Sequence, residues 1–372
     1  MKKYLFLLTN MNIGGTEKAF LNMIDTFDPS ETQVTLLLLE KKGGFLPFVP
    51  DWVEIKTLPD YPSFKREIMD PPIRIIKALF HEHRYAHALS LAVTHIYFKI
   101  TDNRTPYYLR VLSGSSIEGE YDTAIAYAGP FDFLSVYLVY FVKAAEKIQW
   151  IHFDVKKFQF NEKTCHGLYR KIDKICVVSD EARRSFVEVM PSVSSKTVTY
   201  PNIVSAKRCR ELAGSAQSFT DDWDKTRIVT LGRLSSEKGQ DIIPDVAVRL
   251  RDGGIDFRWY LIGDGKLRGT VEEKIRKYGL EDSIVLLGTK ENPYPFLRDA
   301  DVYVQTSVHE GFCITLAEAK AFDLPIVSTD CAGAHEQLDG LPYCSVTKRD
   351  VGEMSEAIAG VIRQREAQGN TV

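Results

Sequence analysis

Short apolar runs alternate with stretches of helical periodicity along almost the whole sequence, and this alternation restricts the fold more than any other feature. Strands separated by helices pair in parallel, and the helices cover both faces of the sheet. The predicted strands are Tyr4–Leu8, Val34–Leu39, Glu54–Thr57, Thr123–Tyr127, Lys147–His152, Lys174–Val178, Thr197–Tyr200, Arg227–Leu231, Phe257–Ile262, Ile284–Leu287, Val302–Gln305, Ile326–Ser328 and Tyr343–Ser345. We therefore expect an α/β protein with doubly wound parallel sheets.

The chain of 372 residues is long enough for two domains, each with its own core. Residues 213–225 are polar and acidic and lack apolar periodicity, which indicates a linker. We assign residues 1–204 to an N-terminal Rossmann-like domain, 205–225 to the linker and 226–372 to a C-terminal Rossmann-like domain. Ligands bind at the carboxyl ends of strands in such sheets, so we expect both domains to face one cleft.

Composition restricts the location and the partners. The net charge of −3 gives no case for nucleic acid. The six cysteines are scattered without a C-x-x-C pair, which predicts reduced thiols in a cytoplasmic protein. The apolar run Tyr4–Leu8 is too short for a signal peptide, and Phe131–Val142, the longest such run, is too short to span a bilayer.

Two glutamates follow the predicted strand Val302–Gln305. Glu310 lies in the turn that enters a predicted helix, Leu316–Phe322, and Glu318 lies in the second turn of that helix. A helix N-terminus offers unpaired N–H groups to a phosphate. Beside it, one carboxylate could accept hydrogen bonds from sugar hydroxyls and the other from ribose hydroxyls. The spacing alone would favour two ordinary surface glutamates.

A basic turn about 75 residues upstream of Glu310 adds to this pattern. Arg233 and Lys238 follow the strand Arg227–Leu231 and the turn at Gly232. Arg binds phosphate through two N–H groups and Lys supplies a point charge, so the two could neutralise a diphosphate leaving group. Without the glutamates, a solvated basic turn would be the better interpretation.

Other candidates lie at predicted strand ends. Gly14-Gly15 precedes the helical run Glu17–Ile24, so the backbone could approach a phosphate or a sugar closely. His152 ends a strand, where a structural histidine is the alternative. Asp222-Trp223-Asp224 resembles an Asp-x-Asp metal motif, but its charged setting indicates a solvated loop, and we expect no metal site.

Residues 64–110 mix basic and apolar side chains around a predicted helix, Phe80–Phe98. Such stretches either rest on anionic lipid or pack on the sheet with a solvated face, and the pattern leaves both open. The basic members are Lys65, Arg66, Arg74, Lys77, Arg84, Lys99, Arg104 and Arg110. The apolar members are Phe64, Ile68, Ile73, Ile75, Ile76, Leu79, Phe80, Tyr97, Phe98, Tyr107 and Tyr108.

Taken in order, these motifs resemble the retaining glycosyltransferases of family four, which have the two-domain GT-B fold. The matching elements are Gly14-Gly15-Thr16-Glu17, Trp150–Asp154, Val177-Val178-Ser179 with Tyr200-Pro201-Asn202, Gly232-Arg233-Leu234 with Lys238-Gly239, Gly263-Asp264-Gly265, and the Glu310/Glu318 pair. The resemblance spans roughly the whole chain, although residues 60–120 match no motif. A match of this kind is a hypothesis that the structure must test.

The resemblance implies a nucleotide-diphospho-sugar donor, with UDP as the expected nucleotide, and no further cofactor. Arg233 and Lys238 would stabilise the diphosphate, Glu318 the ribose, Glu310 the 3- or 4-hydroxyl of the sugar, and His152 its 6-hydroxyl. The remaining expected donor contacts are Gly14, Gly15, Gly232, Gly263, Gly288, Lys290, Gly311, Phe312, Cys313, Ile314 and Thr315.

We therefore expect a retaining, metal-independent hexosyltransferase of bacterial surface-polysaccharide synthesis, with a saccharide acceptor that is lipid-linked and peripheral contact with the inner membrane face. A GT-B nucleotide-sugar epimerase, a non-catalytic binding partner and a glycoside hydrolase are the alternatives. A hydrolase would act without nucleotide, and a non-catalytic relative would usually lack one of the four charged residues. The helix that crosses back to the first domain in this family is expected to be short or absent after Ile362.

Overall fold

The structure, a computed structural model, describes residues 1–58, 61–129, 132–156 and 161–369. The chain divides into two compact units, Met1–Asn202 and Ile203–Val372. Each unit contains a parallel sheet with helices, so the predicted α/β class is confirmed.

The first unit has a sheet whose seven strands in the described residues follow the order β3-β2-β1-β4-β5-β6-β7. The strands are β1 (Lys2–Leu8), β2 (Thr32–Leu38), β3 (Glu54–Thr57), β4 (Glu120–Gly129), β5 (Lys143–Ile151), β6 (Lys174–Val177) and β7 (Thr197–Thr199). The helices are α1 (Gly15–Ile24), α2 (Tyr61–Met69), α3 (Pro72–His81), α4 (Tyr85–Thr101), α5 (Thr105–Val111), α6 (Asp132–Phe141), α7 (Glu162–Tyr169) and α8 (Asp180–Val189).

The second unit has a parallel sheet whose six strands, within the part of the chain that the structure describes, follow the order β10-β9-β8-β11-β12-β13. Its strands are β8 (Thr226–Leu231), β9 (Phe257–Ile262), β10 (Ile284–Gly288), β11 (Val302–Gln305), β12 (Ile326–Thr329) and β13 (Cys344–Thr347). Its helices are α9 (Ala206–Gly214), α10 (Ile243–Asp252), α11 (Arg268–Tyr278), α12 (Tyr294–Arg298), α13 (Ile314–Lys320), α14 (Ala334–Leu338) and α15 (Val351–Gly369).

Both faces of the second sheet are buried, because successive side chains of a strand point to opposite faces. Ile228 and Trp259 pack on one face against α10, α11 and α15. Val229 and Tyr260, the next residues along the same strands, pack on the other face. This double burial explains why the strands are continuous apolar runs rather than alternating ones.

One segment of the second unit differs from the expectation for it. Residues 206–214, within the predicted linker, form α9, whose Cys209 and Ala213 join the apolar core of the second unit. α15 continues past Ile362 to Gly369 and packs on α10 and β13. The polar composition of residues 205–225 hid the two buried side chains that attach α9 to this core.

The predicted helix Phe80–Phe98 is wrong as a single element, because α3 ends at His81 and α4 begins at Tyr85. His83 between them has a φ of 58°, a left-handed conformation that helices exclude. The apolar run that begins at Phe131 includes α6, while Phe131 itself lies outside the described residues. Among the helices that the structure describes, not one combines the length and apolarity that a bilayer crossing requires.

Candidate active site

The order of the strands shows where each sheet can bind a ligand. In an open parallel sheet, ligands bind beyond the carboxyl ends of the strands where the strand order reverses. This point lies between β1 and β4 in the first unit and between β8 and β11 in the second. Gly14-Gly15 follows β1, Arg233 and Lys238 follow β8, and Glu310 follows β11.

An ion pair bridges the switch point of the second sheet. Lys238 Nζ lies 2.5 Å from Glu310 Oε1, and the two side chains are only 21% and 12% exposed. The pair joins residues 72 positions apart in the sequence. A cation and a carboxylate predicted separately, for the diphosphate and for the sugar, are therefore direct neighbours.

Hydrogen bonds hold the Lys238 turn against the loop after β11. The Glu237 carbonyl accepts from Val308 N at 2.8 Å and from His309 N at 3.2 Å, and Thr306 Oγ1 donates to the Lys238 carbonyl at 2.8 Å. Gly239 has a φ of 62°, and a Cβ there would lie 2.5 Å from the Thr306 carbonyl oxygen. Only glycine permits this approach, which fixes Lys238 beside Glu310.

The Glu310 carboxylate stabilises the positive charge of Lys238. Burial disfavours the ammonium, but attraction to the Glu310 carboxylate outweighs that cost, and the pKa of Lys238 is raised above its ordinary value. Lys238 is therefore a cation at neutral pH and can stabilise a developing negative charge.

Glu310 also accepts hydrogen bonds from two buried side chains that the sequence did not point to. Ser307 Oγ donates to Glu310 Oε1 at 2.6 Å, and Gln305 Nε2 donates to the same atom at 3.1 Å. Their signal in the sequence is a polar run that ends an apolar strand, Gln305-Thr306-Ser307. Three donors thus converge on one carboxylate oxygen.

Glu318 lies in the second turn of α13, as predicted, but it is buried rather than on the surface, with 4% of its area exposed. Its Oε1 accepts a hydrogen bond of 2.7 Å from the hydroxyl of Tyr294, the first residue of α12. Burial and the Glu318 carboxylate both raise the pKa of Tyr294, so its phenol stays protonated. Sequence reasoning named Gly288 and Lys290 of the preceding loop as donor contacts and missed this side chain.

The glycines of the second unit allow three loops to touch. Gly232 N donates to the Ile262 carbonyl and Gly263 N to the Gly288 carbonyl, both at 2.9 Å. A Cβ on Gly263, whose φ is 143°, would lie 2.0 Å from the Gly232 carbonyl oxygen. Close backbone packing therefore requires glycine at Gly263, whatever ligand the loop borders.

The other residues predicted in this unit differ in exposure and in the element to which they belong. Arg233 is exposed, and Lys290 is exposed with its ammonium 5.9 Å from the Phe296 ring centroid. Gly311, Phe312 and Cys313 form the turn into α13, which begins at Ile314 and continues with Thr315. Cys313 is buried with its Sγ 3.4 Å from that of Cys331.

The first unit contains Gly14 and Gly15 at the start of α1. A Cβ on Gly14 would lie 2.5 Å from Oε2 of Glu17, an acidic residue of the first turn. A carboxylate at this helix N-terminus competes with an anionic ligand for the positive end of the helix. The turn is therefore better suited to a sugar hydroxyl than to a phosphate.

His152 directly follows β5 and is 6% exposed, packed on the Tyr127 ring at a centroid distance of 4.7 Å. Burial lowers the pKa of His152 to about 3, although a hydrogen bond to the Tyr127 backbone opposes the shift. Within the described residues its Nε2 is buried without a hydrogen-bond partner. His152 is thus neutral at physiological pH and suited to hydrogen bonding rather than to proton transfer.

The neutral state of His152 predicts a specific dependence of stability on pH. Below the ordinary histidine pKa of 6.5 the unfolded chain gains a proton that folded His152 does not. Stability is therefore fully present above pH ~6.5 and is lost towards pH ~3, by about 1.4 kcal/mol per pH unit. Urea unfolding at pH 7 and pH 5 should show a loss about 2 kcal/mol larger in the wild type than in His152→Gln. Equal losses would contradict the buried neutral ring.

Comparison with known sequences finds similarity mainly in the second unit. Residues 225–364 match the family model described as glycosyl transferases group 1. The chain is 31% identical to the putative glycosyltransferase EpsF of Bacillus subtilis over 50% of this chain and 46% of EpsF. It is 30% identical to the amylovoran biosynthesis glycosyltransferase AmsD of Erwinia amylovora over 29% of this chain and 30% of AmsD.

A further relative has an acceptor in its name. The N-acetylgalactosamine-N,N'-diacetylbacillosaminyl-diphospho-undecaprenol 4-alpha-N-acetylgalactosaminyltransferase of Campylobacter jejuni is 29% identical over 30% of each chain. The chain spans less than half the length of the curated relatives it matches here.

Among solved structures, HepE of Anabaena in complex with UDP superimposes with a TM-score of 0.65 at 17% identity, covering 98% of this chain and 91% of HepE. Identity at this level shows the fold alone. The two parallel-sheet units and this superposition show that the chain has the GT-B fold, and the residues of the second unit match the glycosyl transferases group 1 model. The resemblance found in the motifs is therefore confirmed.

Proposed function

We propose that this chain is a retaining, metal-independent hexosyltransferase that transfers a sugar from a nucleotide-diphospho-sugar, with UDP as the nucleotide, to a saccharide acceptor. The observation that carries the proposal is the Lys238–Glu310 pair at the switch point of the second sheet. Lys238, with Arg233, neutralises the diphosphate as it departs, and Glu310 accepts a hydroxyl of the sugar. Glu318 accepts the ribose hydroxyls.

In the proposed reaction, the bond between the anomeric carbon and the β-phosphate oxygen breaks, and the acceptor oxygen bonds to the same face of that carbon. The acceptor proton passes to a phosphate oxygen of the leaving diphosphate. Lys238 supports this scheme because its raised pKa keeps a full positive charge where the diphosphate charge grows. Fixed cations in this place do the electrostatic work that a divalent metal does in other transferases.

The test is a screen of nucleotide sugars for thermal stabilisation, because a ligand stabilises the folded protein in proportion to the logarithm of its concentration over its Kd. The stabilising donors are then assayed for transfer to saccharide acceptors with and without excess EDTA. We expect a stabilising UDP-sugar and turnover that the chelator leaves unchanged. Loss of turnover in EDTA that Mg²⁺ or Mn²⁺ restores would count against metal independence, and conversion of the donor without an acceptor would favour an epimerase.

We propose further that the acceptor is lipid-linked, that the product is a bacterial cell-surface polysaccharide, and that the protein contacts the inner face of the plasma membrane reversibly. The undecaprenol-linked acceptor of the Campylobacter relative and the amylovoran relative support this proposal by analogy. A surface of the first unit supports it independently.

That surface is the outer face of α4, defined by Tyr85, Leu89, Val93, Ile96, Tyr97 and Ile100. These positions recur at intervals of three and four residues, so they share one side of the helix. Leu89 and Ile100 are 64% and 77% exposed, and Phe80 of α3 extends the face through a ring contact of 5.8 Å with Tyr85. An apolar stripe of this extent marks an interaction site.

Several apolar residues of the segment 64–110, for which the sequence left lipid contact and packing on the sheet both open, lie in the interior. Phe64, Ile75, Leu79, Tyr107 and Tyr108 are buried within the first unit and cannot touch lipid. Helical periodicity shows which apolar residues share a side of a helix, but it does not show which side faces the sheet.

Charge favours a membrane over a second copy of the chain as the occupant of the α4 outer face. Residues 61–110 contain eight Lys or Arg and four Asp or Glu, in a chain of net charge −3. Arg74, Lys77 and Lys99 are exposed and form no ion pair with another described residue. Two copies would bring two positive surfaces together, whereas anionic lipid attracts both the charge and the apolar stripe.

We expect the protein to co-sediment with vesicles that contain anionic phosphatidylglycerol at low salt and to dissociate in part at high salt. Each basic residue near the surface adds about 1 kcal/mol, which salt screens. Glutamine at Arg74, Lys77 and Lys99 should weaken binding, and so should Leu89→Ser with Ile96→Ser. Lys277→Gln on α11 is the matched control. Binding equal to wild type in both sets of variants, or concentration-dependent dimers without vesicles, would contradict the membrane proposal.

A further inference from the structure

Glu310 is held by an amide to which the proposed function assigns no role. Gln305 is the last residue of β11 and is 2% exposed. Its Nε2 donates to Glu310 Oε1 at 3.1 Å and also to Ser307 Oγ. Its Oε1 accepts from the Tyr303 hydroxyl at 2.5 Å and from Thr315 Oγ1 at 3.1 Å.

These four hydrogen bonds use both hydrogens and both lone pairs of the amide. A carboxylate accepts only, so the amide nitrogen must face Glu310 and the amide oxygen must face the two hydroxyls. Rotation of the Gln305 side chain would break all four bonds in a buried site. Its orientation is therefore fixed by the network.

The fixed amide restricts Glu310 in turn. Lys238, Gln305 and Ser307 all donate to Oε1, and none of these bonds involves Oε2. The position of Oε1 is thus fixed by the protein, which restricts the direction of the whole carboxylate. Thr315, in the first turn of α13, donates a hydrogen bond to the same amide. Gln305 therefore holds both Glu310 and the start of α13 in place.

We propose that Gln305 is a positioning residue that fixes the Glu310 carboxylate and thereby sets the selectivity of the site between donor sugars that differ in the configuration of one ring hydroxyl. This inference rests on the proposed function, in which Glu310 accepts that hydroxyl. A carboxylate of fixed direction accepts a hydrogen bond from the ring hydroxyl of one epimer and lacks that donor with the other, and sites built on such a bond reject the wrong substrate strongly.

The experiment compares Gln305→Met with wild type on the preferred donor and on its C3 and C4 epimers. We expect kcat/KM for the preferred donor and the preference over one epimer each to fall roughly tenfold, the scale of a hydrogen bond to a charged group. Affinity for the nucleoside diphosphate alone should stay within about twofold, because it lacks the sugar. In a Glu310→Gln background, Gln305→Met should add less than about twofold, since one residue acts through the other.

Thr230→Val is the matched control. Thr230 is a buried polar residue of β8 that donates to the Val304 carbonyl and accepts from Trp259 Nε1, and neither bond involves the side chain of Gln305 or Glu310. It should lower stability without changing the epimer preference. Gln305→Glu, of the same size, replaces the donors by an acceptor and should lose the preference as well, which keeps the test open where Gln305→Met does not fold.

The outcomes separate this inference from the proposed function. Wild-type turnover with an unchanged epimer preference in both Gln305 variants would overturn the inference alone. Losses that multiply in the Glu310→Gln background would overturn it too, because Gln305 would then act independently. Absence of transfer by the wild type with every nucleotide sugar would overturn both.

Discussion

Replacing Lys238 by alanine is expected to lower the turnover number by roughly 10²-fold or more, and Arg233→Ala by a similar factor, as when a group that stabilises transition-state charge is removed. Lys238 is the cation at the switch point, and its removal also leaves the Glu310 carboxylate, 12% exposed, without its ionic partner. The measurement is single-turnover and steady-state transfer with the best donor. The effect should fall on kcat more than on KM, since the leaving-group charge grows in the transition state.

Lys277→Ala, on the exposed side of α11, is the control for a change of net charge and should leave turnover unchanged. Near-native turnover of Lys238→Ala would remove the diphosphate assignment. Glu318→Ala, in contrast, is expected to weaken nucleotide binding, because Glu318 pairs with Tyr294 on the proposed ribose side rather than with Lys238.

Gly263→Ala is expected to destabilise the second unit by about 3–5 kcal/mol, even without nucleotide. The new Cβ would lie 2.0 Å from the Gly232 carbonyl oxygen, in a backbone conformation of φ 143° that other residues rarely adopt. Denaturant unfolding monitored with and without nucleotide measures the loss. The change acts directly on the turn that leads to Arg233 and Lys238.

Gly360→Ala provides the opposite case. Gly360 lies within α15, and a Cβ there would meet no atom within 4 Å. Alanine should stabilise this helix by about 0.5–1 kcal/mol. Similar effects of the two substitutions would show that the Gly263 contact relaxes without cost.

Strands of the second sheet could be predicted closely because both faces of that sheet are covered. Phe257–Ile262 and Val302–Gln305 coincide with β9 and β11, whose apolar runs end where the chain leaves the core. The prediction for β13 began at Tyr343, whereas the strand begins at Cys344 because Tyr343 has a φ of 57°. The same left-handed conformation at His83 divided the helix predicted over 80–98. Neither position is a glycine, so the sequence does not indicate the left-handed conformation.

Charged residues of the site could be located from the sequence because they interrupt the pattern at strand ends. Lys238 and Glu310 were predicted separately, and only the pairing of β8 with β11 shows that they touch. Gln305 and Tyr294 were missed because their roles depend on partners rather than on their own charge. Gln305 ends a strand and Tyr294 starts a short helix, and neither position indicates a function by itself. Their roles become visible only when the fold brings Glu310 to Gln305 and Glu318 to Tyr294.

The thiol of Cys313 gives a way to observe the turn into α13 without any substrate turnover. Burial raises the pKa of Cys313 well above its ordinary value, and the residue is 2% exposed. An alkylating reagent attacks the thiolate, so folded Cys313 is protected twice, by its protonation and by its packing. Its labelling rate therefore measures how often this turn opens. A bound donor that tightens the turn would slow labelling. The alkylation rate of Cys313 would then report how much of the protein has donor bound.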